Sequence, residues 1–127
     1  MIRIMVTASG EPDVLPLERV FELEEKVFFG SGKMIEERVR RGLKANVNEA
    51  LMLYAAHVAR ALRAGKSNRT IQKTAQRLLT QENVMIGVPE TLQTIRFELG
   101  SQRKGSRTKT VTLRALMPTS NYVLAAR

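Results

Sequence analysis

Cysteine is absent from this chain, tryptophan is absent, and histidine occurs once, at position 57. With no Cys there is neither a disulfide framework nor a thiolate metal site, which suits a reducing compartment and makes the cytoplasm the default expectation. Aromatic residues are only 5% of the chain, so base-stacking platforms are scarce. No apolar run approaches the roughly 20 residues of a membrane span, and the opening Met1-Ile2-Arg3-Ile4-Met5-Val6 is too short for a signal segment. The reading is of a soluble, unexported protein.

Self-contained catalysis is also short of materials. His57 lies mid-helix in Tyr54-Ala55-Ala56-His57-Val58-Ala59, with no Asp or Glu within one turn to orient it, and reads as a packing or surface residue. A metal site needs three or four converging ligands, which one histidine without cysteine does not begin to supply. No Ser stands in a G-x-S-x-G context, and Gly30-Ser31-Gly32-Lys33 is only a weak echo of a phosphate loop. The pairs Glu24-Glu25 and Glu36-Glu37 are more simply solvated helix face. No catalytic, cofactor-binding or metal-ligating residue is assigned to the chain.

What is present is positive charge, unevenly placed. The formal charge is +9, from 21 Lys+Arg against 12 Asp+Glu, yet six acids fall within the first 25 residues. The excess therefore belongs to Arg38-Arg40-Arg41-Lys44 and to Arg103-Lys104-Arg107-Lys109. Such patches hold phosphates or dock on an acidic protein. On composition alone both remain open, and the alternative reading is a basic nucleic-acid-binding module using loop 103–109.

At 127 residues and 43% hydrophobic content the chain can build one ordinary core, so a single domain is expected over 1–127. Residues 2–7 resemble a short edge strand, followed by a turn at Gly10-Glu11-Pro12-Asp13. From Leu17 to Arg40 the positions Val20, Phe21, Val27, Phe28, Met34, Ile35 and Val39 suit a helical stripe, which Gly30-Ser31-Gly32 interrupts. The clearest helix runs Val47–Ala64: Asn46 caps it, Glu49 completes a capping box, and Gly65 supplies a left-handed stop. A third begins near Ser67 or Asn68, with Ile71, Ala75, Leu78 and Leu79 on one face. Thr80 then caps a short helix over Gln81–Ile86 that ends at Gly87, and Pro89 fits the first turn of a further segment. Beyond it the period becomes two: Ile95, Phe97 and Leu99, then Val111 and Leu113, predict a hairpin joined by the basic loop 100–107.

Several blocks occur in an order that resembles the urease gamma subunit family over roughly residues 22–116. They are Glu36-x-Arg38, Arg41-Gly42-Leu43-Lys44-x-Asn46-x-x-Glu49-Ala50, Gly65-Lys66, Leu79-Thr80, Val84-Met85-x-Gly87-Val88-Pro89-Glu90, Ile95 with Glu98, and Thr108-Lys109-x-Val111-Thr112. The resemblance implies an α+β fold, a small domain of three to four helices closed by a C-terminal antiparallel β-hairpin. Residues 1–16 are then an N-terminal extension and 118–127 a tail. It further implies a non-catalytic structural subunit of a nickel amidohydrolase complex that splits the C–N bond of urea or a related amide or guanidine. The nickel is expected on a large catalytic alpha-like partner, with a beta-like subunit as a further candidate, in a threefold hetero-oligomer. Interface residues are expected at Arg41, Gly42, Asn46, Glu49, Gly87, Val88, Pro89 and Glu90. The plainer alternative is that these eight serve only the fold of their own chain.

Overall fold

Ile2, Ile4, Val6 and Ala8 are buried while their neighbours are exposed, the period-two signature of a strand with one face on the core. They lie on β1 (Ile2–Ser9), the first element of a computed structural model that describes residues 1–100 and 108–116. There follow β2 (Leu17–Leu23), α1 (Glu25–Arg40), α2 (Val47–Arg63), α3 (Asn68–Ala75), α4 (Val88–Thr91), β3 (Thr94–Leu99) and β4 (Lys109–Arg114). The strands form one antiparallel sheet in the order β2-β1-β3-β4. Helices α2 and α3 cover its apolar face, α2 against β1 and β3 and α3 against β4. The fold is α+β, as expected. Loop positions 101–107 and the tail from 117 lie outside the described residues.

Two expectations for the N-terminal quarter are corrected. The first strand is interior: Ile4–Ser9 pair with β3 on one side while Ile2–Ala8 pair with β2 on the other. Residues 17–23 are strand and not the start of a helix. Leu17, Phe21 and Leu23 face partly inward while Glu18, Val20 and Glu22 face out, so the apparent helical spacing of Val20, Phe21, Val27 and Phe28 bridges two different elements. The expected C-terminal hairpin exists, but as one half of a four-stranded sheet.

Helix α1 runs unbroken through Gly30 and Gly32. The reason is packing, since Gly32 is buried where a Cβ would come 2.7 Å from the Ala56 Cβ of α2. Absence of a side chain there lets the two helices approach closely. Helix α2 is the core of the protein, and its Leu51, Tyr54, Ala55, Val58 and Ala59 are almost wholly buried. Its ends follow the predicted chemistry: Gly65 at φ +75° gives its N–H to the Leu62 carbonyl, and the Lys66 N–H bonds the Ala61 carbonyl. The far end of the edge strand β4 is capped by a side chain. The Gln72 amide donates to the Arg114 carbonyl at 3.0 Å and accepts from its N–H at 2.9 Å, satisfying backbone groups that would otherwise form an open edge.

Candidate functional site

The Arg41–Glu49 and Val84–Glu90 segments are about 40 residues apart in sequence and adjacent in space. Their junction is a two-bond parallel bridge in which the Ala45 N–H donates to the Asn83 carbonyl and the Met85 N–H to the Ala45 carbonyl, each at 2.9 Å. Ala45 and Val84 are both buried, so the bridge is fixed from below. The result is one corner of the molecule, built from the α1–α2 turn and the approach to α4.

On the first side of that corner, α1 stops at Gly42, whose φ of +94° is left-handed and suits glycine. The Gly42 N–H bonds the Val39 carbonyl at 2.9 Å, and the Leu43 N–H reaches back to the Arg38 carbonyl at 3.0 Å. Arg41 is exposed and lies 3.8 Å from Glu37. Asn46 and Glu49 form the expected capping box: the Glu49 N–H donates to Asn46 Oδ1 at 2.8 Å, and the Asn46 N–H donates to Glu49 Oε1 at 3.0 Å. Loss of such a cap costs about 1 kcal/mol. The second Glu49 oxygen lies 3.5 Å from Arg38, which ties α1 to the start of α2.

The second side differs from the sequence reading. Only Gln81–Asn83 turn, as a 3-10 element, and the Asn83 carboxamide accepts from the Thr80 N–H at 2.9 Å. Val84 is already extended, because it must lie alongside Ala45. Gly87, at φ +93°, therefore begins α4 and does not end a helix over 81–86. Val88 is buried, Pro89 is half-buried in the first turn, and the Glu90 side chain is exposed. The Glu90 carbonyl accepts from the Glu11 N–H at 2.8 Å. Gly10 lies so close beneath it that a Cβ would come within 1.9 Å of that oxygen.

Thus all eight sequence candidates flank this corner, with unequal exposure. Val88 commits its side chain to the core, whereas Arg41 and Glu90 present theirs outward. Missing from the sequence candidates are Leu43, Met85 and Ile86, which are large, apolar and exposed, Ile86 fully so. Their only signal is an apolar residue in a turn segment with no helical or strand period.

His57 sits elsewhere, half-buried between α2 and α3, with Nε2 2.7 Å from Thr74 Oγ1. The Thr74 hydroxyl proton is directed to the Thr70 and Ile71 carbonyls at 3.0 and 3.2 Å, so the ring nitrogen is the donor. Burial lowers its pKa, and Arg60 adds to the effect against opposing contributions from the Ile71 carbonyl and Glu36. Glu25, at the start of α1, is held below the usual carboxylate range by its hydrogen bond and charge pairing with Arg63. Arg63 and Arg60 also lie 5.4 and 5.3 Å from the Phe29 ring centre, pinning α1 to α2. Among the described residues no three His, Asp or Glu side chains gather to hold a metal ion, and no helix is long and apolar enough to cross a membrane.

The pattern of the family described as urease, gamma subunit, matches residues 19–115, which takes in both sides of the corner. The chain belongs to the urease gamma subunit family. A urease subunit gamma of Halalkalibacterium halodurans is 40% identical over 76 residues, spanning 59% of this chain and 76% of that relative. Family membership associates the chain with urease, a hydrolase assembled from several subunits. The match begins inside β2, so β1 and the Gly10 turn lie outside it.

Proposed function

We propose that this gamma-family chain is a non-catalytic structural subunit of a urease-type complex, and that hydrolysis of the C–N bond of urea or a related amide or guanidine occurs on a larger partner that holds the nickel. The supporting observation is the corner itself. Two segments that carry the family resemblance are pinned together by the Ala45–Val84 bridge, and around them Leu43, Met85 and Ile86 are left in solvent. Exposed apolar clusters of this kind mark protein contacts. In this reading Arg41 and Glu90 contribute charge to the contact. Gly42, Asn46, Glu49, Gly87, Val88 and Pro89 hold the two backbones in the shape that the partner meets.

The alpha-like partner, a beta-like subunit and a threefold arrangement belong to the same proposal. It is tested by purifying the protein from its native source, with mass and metal analysis. Co-elution with a large nickel-bearing chain is expected. Recovery of a metal-free chain loaded with nucleic acid would overturn it in favour of the basic-module reading.

A further inference from the structure

The α1–α2 corner carries two adjacent hollows that share Arg38. The first is a half-open hollow of about 280 Å3 over an apolar floor of Ile35, Val39, Leu43, Ala45 and Met85. The second is open and cationic, with Lys33, Arg38 and Arg41 around it. Small-molecule sites usually run from about 300 to 1,000 Å3 and enclose most of the ligand. The first hollow falls just short of that range, and the second, at about 510 Å3, is within it but wide open, so neither encloses a free metabolite and the pair fits side chains of a docked segment better.

Charge decides what kind of side chain. Glu37 is engaged by Arg41, and Glu49 by Arg38 and the Asn46 N–H. Lys33, on the shelf, and Lys44, at the rim of the apolar hollow, have no carboxylate partner among the described residues. A second copy of the same face would bring like charges together, which disfavours self-docking here. Nucleic acid would engage the cations and leave the apolar floor unused, with no aromatic in either lining for stacking.

We infer that this paired surface receives an acidic segment of another subunit, with one large apolar side chain seated over Val39 and Met85 and flanking carboxylates on Lys33 and Lys44. The inference rests on the subunit reading above and gives it a specific partner chemistry. Desolvated apolar anchors supply most of the affinity of such contacts, and the charged rim sets orientation and the rate of encounter.

The experiment is zero-length carbodiimide cross-linking of the native complex, followed by peptide mass analysis. It is paired with the double variant Lys33→Glu/Lys44→Glu co-expressed with the partner subunits. Expected are cross-links from Lys33 or Lys44 to Asp or Glu of a partner chain, and at least a tenfold loss of recovered complex for the double variant. Lys73→Glu, on the exposed side of α3, should leave recovery unchanged. Both variants should keep the circular dichroism of the isolated chain, because all three lysines are exposed. A nickel-bearing complex in which both lysines stay open to amine reagents and form no cross-link would overturn the inference while the subunit reading stands. Absence of any large co-purifying chain would remove the subunit reading and this inference together. Retention of the isolated chain on DNA, abolished by the double variant, would assign the surface to phosphate and overturn the inference as well.

Discussion

Gly30 and Gly32 stand two residues apart in α1, and replacing each with alanine should move stability in opposite directions. A Cβ at Gly30 meets nothing within 4 Å and points to solvent, so Gly30→Ala gains only the helix preference of alanine, about 0.5–1 kcal/mol. Gly32→Ala gains the same preference but places carbon 2.7 Å from the Ala56 Cβ, well inside the roughly 3.5–4.0 Å of normal carbon contact. Neither methyl has a rotamer through which to escape, so α1 and α2 must part, and overpacking of this kind costs about 1–3 kcal/mol. The net expectation for Gly32→Ala is a loss of up to about 2.5 kcal/mol, with no net gain. Combining it with Ala56→Gly restores the room: in that background Gly32→Ala should become stabilising by about 0.5–1 kcal/mol, which gives the pair a strong coupling energy. Urea unfolding followed by far-UV circular dichroism reads the result, since a slope of about 1–3 kcal/mol per molar turns these differences into resolvable midpoint shifts. If Gly32→Ala stabilises as much as Gly30→Ala, the close contact is not what carries the helix through this glycine pair.

Two further outcomes are expected. Gly10→Ala drives a Cβ into the backbone of Glu90 and Thr91 and removes room for the Glu11 N–H bond to the Glu90 carbonyl; a loss of about 2–4 kcal/mol is expected in the same unfolding assay. A wild-type midpoint would show the Gly10 turn not to be seated on α4. His57 has a folded pKa below its unfolded value of about 6.5, so the unfolded chain binds the proton first and stability falls as pH drops from about 7 through that value toward the folded one. His57→Gln keeps an N–H donor for Thr74 without titrating and should flatten this part of the profile; an unchanged slope would place its origin elsewhere.

Helix ends were the most legible part of the chain, because their chemistry is local. Asn46 with Glu49, Ser67, Gly65 and Thr80 all sit at or beside a helix end or turn as their residue types predict. The β3–β4 pairing was legible from strict alternation. Less legible were properties set by distant partners. Leu17–Leu23 carries apolar residues at spacings that serve either period, and only its pairing with β1 selects the strand. Gly87 reads equally well as the end of one helix or the opening of another, and the bond between Met85 and Ala45 decides for the second. For the same reason the motif residues could be named individually, but the apolar side chains beside them could not. Leu43, Met85 and Ile86 become a surface only when the Ala45–Val84 bridge brings their turns together.

The N-terminal strand shows how far the family pattern and the folded unit can differ. The family match starts at residue 19, yet Ile2, Ile4 and Val6 bury almost all of their surface. At about 1.5–3 kcal/mol for each large apolar side chain, these three contribute on the order of 5–9 kcal/mol before chain entropy is subtracted. Residues expected to be an extension are therefore structural to this chain. Strand β1 also fills the β3 edge that a partner strand could otherwise join, and the following turn seats Gly10 and Glu11 against Glu90, within the Val84–Glu90 motif itself. With that edge closed from within, strand addition is confined to the outer strands β2 and β4, and the subunit contact proposed above falls instead to the exposed apolar residues of the α1–α2 corner.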